Sequence, residues 1–209
     1  MADYELISPY DVRLNAVSSE VVDLRSTHVG QVIQAMTRIA MGERDEQHPE
    51  LPSMVGLAAP QIGVFERIIA IDMKAGPGAA NFDVDLRFII NPRLTNVSAE
   101  EALGREGCYS TGDIGGAVYR AKQVTITGFD QHAGPVSYNL SDYLARIAQH
   151  EVDHLNGIRF PDRIRDPKHL HAFDFKSKEF QRYREEWMTW SNLYPIEDWL
   201  KVKQGEHGK

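Results

Sequence analysis

Apolar positions recur with two different periods along this chain, and the switch between them sets out its architecture. After Ser26 or Thr27, Val29, Val32, Ile33, Met36, Ile39 and Ala40 fall on one face of a 3.6-residue repeat, which predicts an amphipathic helix. GERDEQHPELPS then breaks the pattern and reads as an exposed loop. Short runs rich in β-branched and aromatic residues follow: RIIAID, RFIIN, QVTITGF and PVSYN. Stretches such as KAGPGAAN and DQHAGP punctuate them with Gly, Pro and Asn. The helical period returns in Leu144, Ile147, Ala148 and Leu155. Ser141 is placed to cap this second helix, Asp142 suits its first-turn dipole, and Asn156 with Gly157 marks its stop. Near the end, Phe180, Tyr183, Trp187 and Trp190 again keep helical spacing, as an aromatic stripe packing against the body would. A block of strands ahead of the second helix implies an α+β fold, mainly antiparallel strands packed around that central helix, with an N-terminal and a C-terminal helix.

Composition narrows the class. The chain has 209 residues, 42% of them hydrophobic, which suffices for one sizeable core, so a single domain over 1–209 is expected, with 175–209 as a helical extension. The start, MADYELISPYD, lacks a basic region followed by an apolar run, and no stretch approaches the length that crosses a bilayer; a cytoplasmic protein with no membrane partner is expected. A formal net charge of −7 argues against a broad nucleic-acid-reading surface. One cysteine, Cys108, excludes an internal disulfide and fits a reducing compartment.

The chemistry concentrates in QHEVDHLNG, Gln149 to Gly157. Residues four apart on a helix project from nearly the same face, so His150 and His154 can close on one metal ion from a single rigid element. Glu151 beside them can take a proton from water that the metal activates, which is why HExxH reads as hydrolytic. The alternative is a solvated helix with two titrating histidines. The adjoining apolar face turns the histidines toward a core, where unpaired imidazoles are costly. A catalytic site of this kind commonly uses three protein ligands, and the lone thiol, in REGCYST, is the obvious third.

Three motifs in order, GLAAPQIG (Gly56–Gly63), EGCYS (Glu106–Ser110) and QHEVDHLNG, resemble those of the peptide deformylase family. The likeness reaches weakly to YDVRL, Arg120 and RFPDR, spanning roughly residues 5 to 165. It implies that Cys108, His150 and His154 hold one divalent metal, iron(II) by family habit with zinc, nickel or cobalt also suited to the ligands, and that Glu151 is the catalytic acid/base. It assigns Gln61 and the Tyr109 backbone amide to the formyl oxygen, and Gly56 to main-chain bonding with an extended peptide. Val55 and Tyr143 become walls of a side-chain pocket. Met54 stands where the family has a glycine and is expected to narrow the substrate entrance, and TGDIGG departs from the family continuation after EGCYS. Glu106 is expected to pair with Arg146 or Arg120 as a brace for the ligands. The implied substrate is the N-formylmethionyl end of a nascent polypeptide, with a transient ribosome contact left open. Competing readings are an HExxH protease, whose third ligand would lie downstream of the helix, a hydrolase of another N-formyl substrate, and a catalytically silent metal-binding paralogue.

Overall fold

Ser26 is extended, and its hydroxyl accepts from the Val29 N–H at 3.3 Å, which starts helix α1, Thr27–Met41. Gly42 ends α1 with a left-handed φ of 82°. The computed structural model describes residues 4–42, 54–76, 84–174 and 177–206. The loop GERDEQHPELPS lies, past Gly42, outside the described residues, as does part of KAGPGAAN.

Strands β1 (Gly56–Ala58), β2 (Ile68–Asp72) and β3 (Leu86–Thr95) follow. They are succeeded by β4 (Glu101–Gly107), β5 (Ile114–Ala121), β6 (Gln123–Phe129) and β7 (Pro135–Ser141). Helix α2, Asp142–Leu155, begins directly after β7, and β8 is Leu170–Ala172. Helices α3 (Lys178–Glu186) and α4 (Ile196–Lys203) complete the described chain. Five strands form one antiparallel sheet in the order β1-β2-β3-β6-β7, and three form a second in the order β4-β5-β8. The α+β reading with mainly antiparallel strands around α2 holds.

β2 shows why the pattern RIIAID lacks alternation. Ile68 and Ala70 join the cluster built on α1, with Val29, Val32 and Met36, whereas Ile69 and Ile71 join the cluster built on α2, with Ile147, Ala148 and Leu155. The first sheet is therefore covered on both faces at β2, where all five positions are buried, four of them apolar. A third cluster joins Ile114 and Val118 of β5 to Phe160, Leu170, and Trp199 and Val202 of α4.

Three details depart from the local readings. Ser141 occupies the N-cap position of α2 but its side chain makes no capping bond, because it also ends β7. The C-terminal aromatic stripe spans α3 and a short 3₁₀ turn, Trp187–Thr189, and a further helix, α4, follows Pro195. Of that stripe Tyr183 is fully buried, stacked 4.6 Å from the Phe173 ring, and Trp190 Nε1 donates to the Ala172 carbonyl at 3.0 Å. Among the described residues no helix is long and apolar enough to cross a membrane.

Candidate active site and metal centre

α2 carries its polar residues inward. His150, Glu151 and His154 are 9%, 4% and 1% exposed, a placement that costs free energy unless each group finds a partner. Cys108 stands at the end of β4, just ahead of the 3₁₀ turn Tyr109–Thr111. The Cys108 Sγ and one nitrogen of each of His150 and His154 all lie within 4.8 Å of one another. His150 Nε2 is 3.2 Å from His154 Nε2, which is 3.3 Å from Cys108 Sγ.

Glu106, also on β4, explains the orientation of His150. Its Oε2 lies 2.9 Å from His150 Nδ1, so that nitrogen carries the proton and Nε2 is left with a lone pair directed at its neighbours. Glu106 also accepts from Arg120 Nε and Nη2, at 3.0 Å each, and from Arg146 Nη1 at 2.8 Å. Burial by itself would raise the Glu106 pKa, but the His150 bond and the Arg120 guanidinium outweigh it and hold the carboxyl below its ordinary range. Arg120 also reaches Asp153, which Arg163 holds from the other side at 2.6 Å. Burial pushes the His154 pKa down, so that its imidazole is neutral. Two imidazole nitrogens facing each other beside a thiol repel unless a proton or a cation lies between them. A soft thiolate with two imidazoles is a donor set that first-row divalent metals accept, so the residues fit a metal ion.

Glu151 differs from its neighbours. Its Oε2 is buried and has no hydrogen-bond partner among the described residues. Burial raises its pKa to about 7. It is packed against Gly56: a Cβ there would collide with Glu151 Oε1 and lie 2.8 Å from Ile147 Cγ2 and 2.9 Å from Glu151 Cδ. Only glycine lets β1 run this close to the carboxylate.

Gln61 sits in the 3₁₀ turn Ala59–Ile62, 4% exposed. The Ala58 N–H donates to its Oε1 at 2.8 Å, which turns its Nε2 toward Cys108 Sγ at 3.3 Å and Ser110 Oγ at 3.2 Å. Tyr109 is the first residue of the turn after Cys108. Val55, just ahead of β1, and Tyr143, in the first turn of α2, are each 37% exposed. Met54 requires a correction. Its side chain is 9% exposed and belongs to the apolar cluster with Met36, Ala40 and Leu57, while its N–H donates to the Ala40 carbonyl at 3.0 Å. It packs into the core against α1 and does not narrow a substrate entrance.

The pairing of Glu106 with both Arg120 and Arg146 answers an expectation that left open which one. Asp153, Ser110 and Arg159 have contacts around the site that were not anticipated, although Asp153 lies within HEVDH itself.

Residues 4–170 match the family model described as polypeptide deformylase. The peptide deformylase of Listeria welshimeri is 36% identical over 157 residues, covering 72% of this chain and 84% of that protein. That of Syntrophomonas wolfei is 33% identical over 147 residues, covering 70% and 89%. Among solved structures, a Met-Ala-Ser-bound class I type b peptide deformylase from Acinetobacter baumannii superposes with a TM-score of 0.66 at 30% identity, over 77% of this chain and 98% of its own. The enzyme from Thermotoga maritima gives 0.65 at 27% identity, over 79% and 100%.

Proposed function

The chain belongs to the polypeptide deformylase family, and from that premise we infer how its own residues carry out the family's reaction, the metal-dependent removal of the N-formyl group from nascent peptides. The observation that carries this assignment is the convergence of Cys108, His150 and His154 beside a buried glutamate oxygen with no protein partner.

Cys108, His150 and His154 are the proposed ligands of one divalent ion, iron(II) by family habit, with zinc, nickel or cobalt as the alternatives. A cation there supplies Lewis acidity, polarising the formyl carbonyl and making water a competent nucleophile near neutral pH. Glu151 takes the proton of the attacking water on Oε2 and returns it to the leaving nitrogen, a double duty that suits a carboxyl with a pKa of about 7. As the C–N bond breaks, formate leaves and the methionine amine is freed. Gln61 Nε2 and the Tyr109 amide hold the carbonyl oxygen as charge develops on it, each donor worth roughly 10²- to 10³-fold in rate. The peptide lies extended along the outer edge of β1 at Gly56, in the manner of an added strand, with Val55 and Tyr143 flanking its first side chain. Residues 1–209 act as one domain in this reading, with 175–209 as its helical extension. A formylmethionyl substrate is a reason to assign the work to the cytoplasm, and a transient ribosome contact stays open.

The test is anaerobic purification with metal analysis, followed by formate release from formyl-Met-Ala against acetyl-Met-Ala. Formate from the first peptide and no acetate from the second is expected. A metal-loaded protein inert toward formyl-Met-Ala would overturn the assignment.

A further inference from the structure

The family match ends at residue 170, yet α4, beyond it, stacks on Arg159, which bonds the turn after Cys108. Trp199 of α4 is 1% exposed, and the Arg159 guanidinium lies over its ring, 4.4 Å from the centroid. Arg159 is equally buried. Its Nη1 donates to the Ser110 carbonyl at 2.9 Å and to the Pro9 carbonyl at 2.7 Å, and its Nη2 to Asn15 Oδ1 at 3.2 Å. Among the described residues it forms no ion pair; main-chain carbonyls, an amide oxygen and the face of Trp199 replace the hydration of Nη1 and Nη2, while its buried Nε has no hydrogen-bond partner there. The ring is itself fixed: Trp199 Nε1 donates to Asp162 Oδ1 at 2.8 Å, and Asp162 Oδ2 accepts the Arg159 N–H at 3.0 Å.

Ser110 connects this stack to the chemistry. While its carbonyl accepts from Arg159, its Oγ accepts from Gln61 Nε2 at 3.2 Å, the same amide that lies 3.3 Å from Cys108 Sγ. A buried cation held on one side by an aromatic face and on the other by the Ser110 carbonyl limits how far the Cys108 turn can move. The backbone of Ser110 in turn sets where its hydroxyl meets Gln61.

We propose that Trp199 and Arg159 are positioning residues for the deformylation reaction, α4 acting through Arg159 and Ser110 to aim the Gln61 amide and hold the Cys108 sulfur. The proposal rests on the roles assigned above to Gln61 and Cys108. It predicts a defect in turnover more than in substrate affinity, because the donor that is misplaced acts on charge present only in the transition state.

The experiment uses the full-length protein loaded with cobalt(II), whose visible bands report the thiolate ligand, together with kcat and KM for formyl-Met-Ala. Arg159→Met keeps an apolar stem against Trp199 and removes the bond to Ser110. Trp199→Ala removes the ring and Trp199→Phe restores one. Arg159→Met and Trp199→Ala should each lower kcat at least ~10-fold with KM changed less than ~2-fold, the pattern of lost transition-state contact, and shift the thiolate-to-cobalt band, while Trp199→Phe should recover most of both. Should Trp199→Ala not fold, Arg159→Met and Trp199→Phe decide. An Arg159→Met protein with native kcat and a native cobalt spectrum would overturn the proposal and leave the stack as an anchor for α4 alone. If the unmodified protein releases no formate, the assigned reaction fails, whereas the cobalt spectra still decide whether Arg159 positions Cys108.

Discussion

The two faces of the β4–β5 hairpin are built from different chemistry. On the face toward α2, Glu106 and Arg120 meet Arg146, His150 and Asp153, a set of buried ionic groups joined by hydrogen bonds. On the opposite face Gly115 receives aromatic rings: a Cβ there would lie 2.5 Å from Tyr183 Cε1 and 2.7 Å from Phe173 Cε1. Rings can cover an area in many nearly equivalent ways. An imidazole that must offer one particular nitrogen needs a charge-assisted partner at a fixed place, and that partner needs its own counter-charges to remain ionised when buried. The inner face therefore orients and the outer face covers. Substitutions inside should alter the metal and turnover, and substitutions outside should alter stability alone.

Glu106→Ala should produce the largest effect. It leaves Arg120 and Arg146 without their shared carboxylate and His150 without its orienting acceptor, costing about 3–5 kcal/mol of stability by the usual penalty for breaking a buried ion pair. Metal affinity should also fall roughly 10- to 100-fold, as loss of such a supporting partner generally does. Chemical denaturation and metal titration check both, and unchanged affinity would deny the inner face its orienting role.

Met54→Ala, remote from the hairpin, provides a control in the α1 cluster. It should cost about 2–5 kcal/mol in melting or denaturation, as for other buried methionines, with no gain in kcat/KM. Improved kcat/KM would return Met54 to the substrate entrance. Gly56→Ala should leave metal content intact yet lower kcat by about 10²-fold, because the new Cβ forces Glu151 aside and displacements on the order of 1 Å carry such costs. Tyr183→Phe on the outer face should be the mildest: it removes the bond between Tyr183 Oη and His171 Nδ1, 3.1 Å, at a cost of about 1 kcal/mol, with native kcat and KM. A kinetic defect in that variant would erase the distinction between the faces.

The same contrast explains what could be read before the fold was known. The histidine pair of α2 is legible because i, i+4 spacing on a helix is a local property. Glu106 could be named as a brace because it sits two residues before Cys108. β4 and β5 escaped notice since EALGREG and IGGAVYRA lack the apolar alternation of a strand: inner-face charges and the glycines under Phe160, Phe173 and Tyr183 replace it. Their strand character is set by what packs on them from distant parts of the chain. α4 is short and follows Pro195, so its eight residues carry little periodic signal, and the value of Trp199 appears only once Arg159 lies against it. The burial of Met54 is not legible for a related reason, since its core partners on α1 stand well before it in the chain.

Glu151 is proposed to perform the proton transfers at a metal held by Cys108, His150 and His154. The most direct measurement is formate release from formyl-Met-Ala by the Glu151→Ala protein, with metal content determined on the same preparation. The expected result is a folded protein with native metal stoichiometry and turnover reduced at least ~10²-fold, the usual scale for losing a positioned general base. A metal-loaded Glu151→Ala protein that retains most of its turnover would contradict it.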